Sequence, residues 1–262
     1  MLILCDQRMP AQAILTLSGL GKVVEFATEN ITYNAISGHP DIFFCPTPAG
    51  LIVAPNLPET YFHILDRNAI RYSIGSMPVG KVYPETARYN ALVNERFIIQ
   101  NPGTSDPVIR NLNPEKQIIA VKQGYVRCSL VALPNNSFIT SDRGIEKSLK
   151  KQNAEVLFVD PAAIWLDDFE HGFFGGVCGM IENKLFVCGS LSYFKEKNFI
   201  EEFTSNAGVE IVELYQGQPM DIGTLIFLHQ QEGVLCTHKS LNEERLRIDL
   251  KKSGFRINYT KA

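Results

Sequence analysis

Two side chains in this sequence belong to types that do nucleophilic chemistry together. Cys128 lies in the string GYVRCSLV, and His39 lies in the string GHPD, two positions before Asp41. A cysteine thiolate attacks planar carbon centres, and a nearby histidine stabilises the thiolate and then serves as acid or base. Because Cys128 and His39 are far apart along the chain, only a fold that joins distant segments can pair them.

A structural interpretation competes for each of these residues. A lone cysteine in an apolar run is usually a small buried side chain. Three other cysteines fit that description: Cys45, Cys178 and Cys188. Cys128 differs from them because polar residues flank it at the start of a strand-like run. His39 alone fits an ordinary loop histidine, and Asp142, in the string TSDRGIEKSL, fits the N-cap of a helix.

The elements that must position these residues form a repeat of two short strands, a helix and a third strand. Four copies can be recognised, at residues 41–74, 89–121, 127–159 and 177–214. Turn strings such as TPAG and LPNNS separate the first two strands, and their Asn, Gly and Pro residues are typical of hairpins. The third strands, such as EVLFV and VEIVEL, are rich in residues that favour strands.

A fifth copy closes between the two ends of the chain. Residues 2–26 supply a strand, a helix and a strand, and residues 221–228 supply the missing first strand. Closure of this kind leaves a propeller with only short sheet edges. The sequence therefore predicts an α/β fold, a five-bladed ββαβ propeller, as one domain over residues 1–230. Residues 231–262 are predicted to be an appended β-α-β element, and their pattern also allows a sixth unit.

The first strands of such units line the axis of a propeller, so polar residues at their starts converge there. In order around the ring these residues are Asp221; His39 and Asp41; Tyr89 and Asn90; Arg127 and Cys128; Gly175 and Gly176. Carboxylates in such a set would clamp a cation, because a guanidinium presents a fork of donors that carboxylates match. The paired glycines indicate close backbone approach, and GFFGGVCG lacks the spacing of a phosphate-binding loop.

Composition argues against several other function classes. The net charge is −3 with both signs mixed, which gives no indication of binding to nucleic acid or to an anionic membrane. No apolar run reaches the ~18 residues of a membrane-spanning helix, and the string MLILCDQRMP does not resemble a signal peptide. The six cysteines are scattered without CxxC spacing. We therefore expect a reduced, cytoplasmic protein without a disulfide framework or a structural zinc site.

Taken together, these strings resemble a known superfamily. The ββαβ repeat, GHPD and YVRCSL are similar to features of the pentein-fold guanidino-group-modifying enzymes, which include arginine deiminases, dimethylarginine hydrolases and amidinotransferases. A larger set looks like a bacterial branch of that superfamily: ISGHPDIFF, YPETARYNALV, KQGYVRCSLV, FITSDRGI, HGFFGGVCG and DIGTLIF. The resemblance covers roughly residues 1–230.

The resemblance implies a site and a reaction. Cys128 would be the nucleophile, His39 its acid–base partner, and Asp41 the carboxylate of the motif His39-Pro40-Asp41. The predicted substrate-binding residues are Asp221, Asn90, Asp142 and Arg127. The reaction would be hydrolysis or group transfer at a guanidino-type C–N centre, through a covalent thiol intermediate. The substrate would be a small molecule, and no metal or organic cofactor would be needed.

Two features depart from that superfamily. The nucleophile lies in mid-chain, which implies a circular permutation that keeps the order of units around the ring. The acidic-Gly-Gly-Asp motif of deiminases has no counterpart, because Phe174-Gly175-Gly176-Val177 carries no carboxylate. This second departure favours an alternative function, a non-catalytic binding protein of the same fold with a macromolecular or small cationic partner.

Overall fold

The computed structural model describes residues 1–229. The strands in this range form five three-stranded sheets. The strands are β1 Leu2–Asp6, β2 Lys22–Phe26, β3 Phe44–Thr47, β4 Gly50–Val53, β5 Tyr72–Ile74, β6 Leu92–Val93, β7 Phe97–Gln100, β8 Gln117–Ala120, β9 Leu130–Leu133, β10 Ser137–Thr140, β11 Glu155–Phe158, β12 Cys178–Ile181, β13 Lys184–Val187, β14 Glu210–Glu213 and β15 Ile226–Leu228. The helices are α1 Ala11–Ser18, α2 Glu59–Arg67, α3 Pro107–Asn111, α4 Val126–Ser129, α5 Arg143–Lys150 and α6 Lys197–Asn206. No helix in this range has the length and apolar character to cross a bilayer.

Each sheet has the topology that the repeat predicts. In β3–β4–β5, the first two strands pair antiparallel, and the third pairs parallel with the second after α2. A parallel return of this kind needs a crossover long enough to reach back along the strand, and the helix provides it. The same order recurs in β6–β7–β8, β9–β10–β11 and β12–β13–β14. The predicted five-bladed ββαβ propeller is confirmed.

The fifth sheet joins the two ends of the described chain. β15 pairs antiparallel with β1, which places Leu228 opposite Leu2, and β1 pairs parallel with β2 along its whole length. The predicted closure between chain ends is therefore confirmed. The predicted β-α-β element at residues 231–262 lies outside the described residues and stays a prediction.

Local sequence explains both the turns and the buried faces. Asn135 and Asn136 connect β9 to β10 with φ of 60° and 59°, a left-handed conformation that asparagine tolerates better than most residues. In α5, Ile145 and Leu149 are one turn apart and fully buried, while charged neighbours face outward. The middle strand β7 is buried at every position, because neighbouring elements cover both of its faces.

Short helical turns carry the residues that meet at the axis. First strands of neighbouring blades contact one another, as β3 does with β6 and β12 does with both β9 and β15. A helical turn precedes four of these strands, at Pro40–Ile42, Glu85–Ala87, α4 and Gly175–Val177. The prediction that Cys128 begins a strand is wrong, since it lies within α4 and β9 begins at Leu130. Two backbone N–H groups of this turn, from Val126 and Arg127, donate to the Asn90 carbonyl, which ties the turn to the preceding blade.

Candidate active site

Cys128, Asp41 and Asn90 form a buried cluster contributed by three neighbouring blades. The Cys128 Sγ donates a hydrogen bond to Asp41 Oδ2 at 2.8 Å, and the Asn90 side-chain amide donates to Sγ at 3.2 Å. Asn90 Oδ1 also accepts from the backbone N–H of Cys128 at 3.1 Å. These contacts hold the sulfur in one orientation.

Thr224, which sequence reasoning missed, fixes the Asp41 carboxylate from the other side. Its hydroxyl lies 2.9 Å from Asp41 Oδ2 and 3.1 Å from the Gly175 carbonyl. Asp41 Oδ1 is buried and has no hydrogen-bond partner among the described residues. A buried carboxylate oxygen without a donor is costly, so this atom is suited to meet a donor from a ligand or a water molecule.

His39 lies beside the cluster and is 1% exposed. One of its ring nitrogens, one Asp41 carboxylate oxygen and the Cys128 sulfur all lie within 4.8 Å of one another. Nδ1 is 3.9 Å from Asp221 Oδ1, and Nε2 is 3.9 Å from Asp6 Oδ2, so the ring lies between two carboxylates. Neither nitrogen makes a hydrogen bond within residues 1–229. Both nitrogens therefore have hydrogen-bonding capacity that the described residues leave unused.

Asp221 and Asp6 are both buried and are held by different donors. Asp221 accepts from the backbone N–H groups of Phe173 at 2.8 Å and Gly223 at 3.0 Å. Asp6 accepts from the Arg8 guanidinium through both of its oxygens. Sequence reasoning predicted Asp221 and missed Asp6. The signal that could have found Asp6 is its place at the end of the apolar run LILC, which forms β1.

Burial and charge keep the cysteine protonated. Burial raises the pKa of the Cys128 thiol well above its usual value, and the charges of Asp41 and Asp221 raise it further. The hydrogen bond from Asn90 lowers this pKa and is the smallest of the effects. Burial also raises the pKa of Asp221, which the charge of His39 opposes. At neutral pH the ligand-free protein therefore holds a thiol that donates to Asp41.

A cavity of about 230 Å³ gives access to this cluster. Its lining residues are Tyr33, Ile36, His39, Ile42, Tyr125, Cys128, Leu166, Phe169, Glu170, His171, Phe173 and Asp221. Cys128, His39 and Asp221 thus meet in one cavity, whereas Asp41 and Asn90 contact the sulfur from behind the lining. Five lining residues come from the segment 166–173, whose string LDDFEHGF carries no strand or helix periodicity by which sequence reasoning could have found it.

Two predicted substrate-binding residues lie elsewhere. Asp142 caps α5, since Oδ1 accepts from the Ile145 N–H at 2.8 Å and Oδ2 accepts from Gln123 at 3.0 Å. This is the structural alternative that the sequence left open. Arg127 lines a separate cavity of about 120 Å³, because successive residues of a helical turn point in different directions. Burial lowers the pKa of Arg127.

Two glycines make room for the buried polar groups. A Cβ atom on Gly176 would lie 2.0 Å from Asp221 Oδ1, and a Cβ atom on Gly223 would lie 2.2 Å from His39 Cβ. Gly223 also has φ of 62°, where larger residues are strained. The prediction that the paired glycines permit close approach is confirmed, since a Cβ atom on Gly175 would lie 2.3 Å from the Arg127 carbonyl oxygen.

Comparison with known proteins places this chain in a family. A family model described as a family of unknown function (DUF6873) matches residues 4–226, which is most of the chain. The chain belongs to this family. A search of curated proteins found no match.

Solved structures with the same fold have low sequence identity to this chain. SxtG, an amidinotransferase from Microseira wollei in the saxitoxin biosynthetic pathway, is 13% identical with a TM-score of 0.50, over 86% of this chain and 83% of that one. DDAH from Pseudomonas aeruginosa, a mutant complexed with citrulline, is 10% identical with a TM-score of 0.48, over 77% and 79%. C. jejuni agmatine deiminase is 12% identical with a TM-score of 0.48, over 79% and 74%. The likeness to SxtG shows a shared fold, which is the pentein propeller that the sequence motifs predicted.

The cluster of this family member also has the donor types of a metal site. A histidine nitrogen, a carboxylate oxygen and a cysteine sulfur, from His39, Asp41 and Cys128, are within reach of a single ion. The same atoms therefore suit either nucleophilic chemistry or a transition metal such as zinc. Any measurement on Cys128 needs a chelator control for this reason.

Proposed function

We propose that this protein is a cysteine-dependent hydrolase or transferase acting on a guanidino-type C–N centre through a covalent thiol intermediate. One observation carries the proposal: Cys128, His39 and Asp221 line the same cavity, and the Cys128 sulfur contacts Asp41 behind the lining. A nucleophile, an acid–base group and carboxylates are the set that such chemistry requires.

The charges around the sulfur favour a cationic substrate. Asp221 and Asp41 are buried near Cys128, and neither makes an ion pair with Lys or Arg within the described chain. A planar guanidinium offers donors that match carboxylate oxygens, among them the unpartnered Asp41 Oδ1. Its positive charge would also lower the thiol pKa, since nearby negative charge is one cause of the raised value. Substrate binding would therefore generate the thiolate.

The reaction can be written so that every proton is placed. The Cys128 thiol gives its proton to Asp41, to which it already donates, and the sulfur attacks the central guanidinium carbon to form a C–S bond. The C–N bond to the leaving amine breaks, and His39 supplies the proton that the amine takes away. Water, activated by His39, then attacks the same carbon in a hydrolase, whereas a second amine attacks it in a transferase. The C–S bond then breaks and the sulfur takes its proton back from Asp41, which regenerates the thiol in either case.

A panel of guanidino and ureido compounds, assayed for release of ammonia or amine, tests this function. We expect turnover of at least one guanidino compound, with Cys128→Ser reducing the rate by roughly a thousandfold or more. A covalent adduct on Cys128 should be trapped by mass spectrometry in the wild-type protein. Turnover that persists in Cys128→Ser, or that stops when a chelator is added to the wild type, would contradict the proposal. The proposed thiol chemistry also suits the reducing cytoplasm that we expect from the cysteine pattern.

A non-catalytic binding protein is the second candidate. The observation in its favour is that the Cys128 sulfur already has two hydrogen-bond partners, Asp41 and Asn90, as a structural cysteine would. This candidate predicts that no compound in the panel is turned over and that Cys128→Ser leaves the affinity for the partner unchanged.

A further inference from the structure

The outer part of the candidate cavity is built mainly from aromatic rings. The tilted rings of Tyr33 and Phe169 have their centroids 5.7 Å apart. The ring centroids of Tyr125 and Phe173, which are also tilted, are 6.4 Å apart. These four side chains, which we call the aromatic collar, all belong to the cavity lining, with Cys128 and Asp221 deeper in the structure. Phe169 is 51% exposed, so a bound molecule could cover apolar surface that now faces solvent. Aromatic faces attract cations and bury apolar groups.

Apart from two histidines, the ionisable groups of the cavity lining that carry charge at neutral pH are carboxylates. Asp221 lies among the buried residues, and Glu170 lies at the exposed side, in the segment that also carries Asp167 and Asp168. Among the described residues of the lining, none is Lys or Arg. A substrate carboxylate would therefore meet carboxylates and aromatic faces in place of a cationic partner, which is unfavourable.

Arg8 is a candidate for an anion-binding group, and it is already engaged. The charge of Arg8 acts on Asp167 and Asp221, yet its guanidinium donates to both oxygens of Asp6 and to two backbone carbonyls, of Asn34 and Ala35. Freeing Arg8 for a ligand would leave the buried Asp6 carboxylate without its cationic partner, which is strongly unfavourable.

We infer that the substrate is a guanidinium or amidinium cation whose remaining part is apolar and carries no carboxylate. The cationic head lies against Asp221 and Cys128, and the apolar part lies within the aromatic collar. This inference rests on the proposed function, and it goes further by excluding free α-amino acids and guanidino acids as the preferred class.

Calorimetry on the Cys128→Ser protein tests this preference without turnover. The ligands are n-butylguanidine and the guanidino acid with the same number of carbon atoms, which differ only in the terminal group. We expect n-butylguanidine to bind at least about tenfold more tightly. Phe169→Ala in the same background should weaken binding of n-butylguanidine by roughly threefold to thirtyfold, because the alkyl chain loses the apolar area that the Phe169 ring buries. Phe199→Ala is the matched control, because Phe199 is 64% exposed and lies outside the cavity lining.

The outcomes separate this inference from the proposed function. Equal affinity for the two ligands, or tighter binding of the acid, overturns the inference and leaves the guanidino chemistry standing. An equal loss in Phe169→Ala and Phe199→Ala also overturns it, since the collar would then play no part. Failure of both ligands to bind to folded Cys128→Ser protein overturns the guanidinium substrate itself and the inference with it.

Discussion

The Cys128 sulfur shows how burial and charge combine on one atom. Burial is the largest cause of its raised pKa, and the carboxylates of Asp41 and Asp221 act in the same direction. The Asn90 amide opposes them as a hydrogen-bond donor to the sulfur, and the charge of Arg127 also interacts with Cys128. The resting thiol is therefore unreactive, and its reactivity should depend on the charge that enters the cavity. A buried, protonated thiol of this kind reacts slowly with electrophiles.

Alkylation of Cys128 by iodoacetamide should therefore be slow at neutral pH. It should accelerate only well above pH ~8.5, which is the pKa of an ordinary cysteine thiol. Asp41→Asn removes one negative charge beside the sulfur, so we expect its rate profile to shift to lower pH. The measurement is the alkylated fraction of the peptide that contains Cys128, followed by mass spectrometry from neutral to alkaline pH.

Cys178 provides the control for this prediction within the same samples. It is buried in β12, and burial raises its pKa well above the usual value, so its labelling reports general opening of the protein. If Cys128 and Cys178 react in parallel at every pH, or if Asp41→Asn leaves the profile unchanged, the local electrostatic account is wrong.

Sequence reasoning located part of this site because the repeat supplies a ring order. His39, Cys128 and Asp221 occupy equivalent places in different blades, and all three reach one cavity. The position of a residue along the chain does not show where its side chain points within a helical turn. Arg127 was therefore predicted at the same site as Cys128, but it lines another cavity. Asp6 was missed because it lies at the end of β1, the middle strand of its sheet, whereas the ring order identifies only residues at the starts of first strands.

At the scale of elements, the helical turns before the first strands determine where the axis residues lie. A turn of three or four residues is too short to show the 3.6-residue periodicity that identifies helices in a sequence. The apolar residues after Cys128 therefore predicted a strand that begins near Cys128, whereas β9 begins at Leu130. The long helices and the middle strands, by contrast, have apolar patterns that identify them, as Ile145 and Leu149 do in α5.

The helix cap at Asp142 gives a prediction at this scale. Because Asp142 accepts from the Ile145 N–H and lies outside the cavity lining, Asp142→Ala should lower the free energy of unfolding by about 1 kcal/mol. Ligand affinity of the folded protein should not change. Chemical denaturation and calorimetry on the same protein samples measure the two quantities.

Asp142→Asn is the matched variant, since asparagine also caps helices and keeps the side-chain shape. We expect its stability to lie close to that of the wild type. If Asp142→Ala loses ligand affinity and Asp142→Asn does not, Asp142 contributes to substrate binding, as the sequence predicted.

At the scale of the whole molecule, the propeller buries several thiol groups that lose protons at high pH in an unfolded chain. All five cysteines of residues 1–229 are buried, and none of them forms a disulfide within that range. Burial is the first cause of a raised pKa for each of them: Cys5 and Cys45 to about 12, and also Cys128, Cys178 and Cys188. A raised pKa means that the folded chain keeps protons that the unfolded chain releases.

The free energy of unfolding should therefore fall steeply as the pH rises above ~8.5, which is the pKa of a cysteine thiol in an unfolded chain. Above that pH the unfolded state binds fewer protons than the native state, so stability decreases with pH, by about 1.4 kcal/mol per pH unit for each protected thiol. The decrease continues towards pH 12, the value to which burial raises the pKa of Cys5. Urea denaturation at a series of pH values, with a reductant present, measures the slope.

Cys178→Ala isolates the contribution of one thiol. It should be less stable than the wild type near neutral pH, because it removes a buried sulfur, and its slope above pH ~8.5 should be shallower by about 1.4 kcal/mol per pH unit. The exposed substitution Phe199→Ala should leave the slope unchanged. If stability is flat between pH 8 and pH 10, or if Cys178→Ala has the wild-type slope, the buried thiols do not control the alkaline limit of the fold.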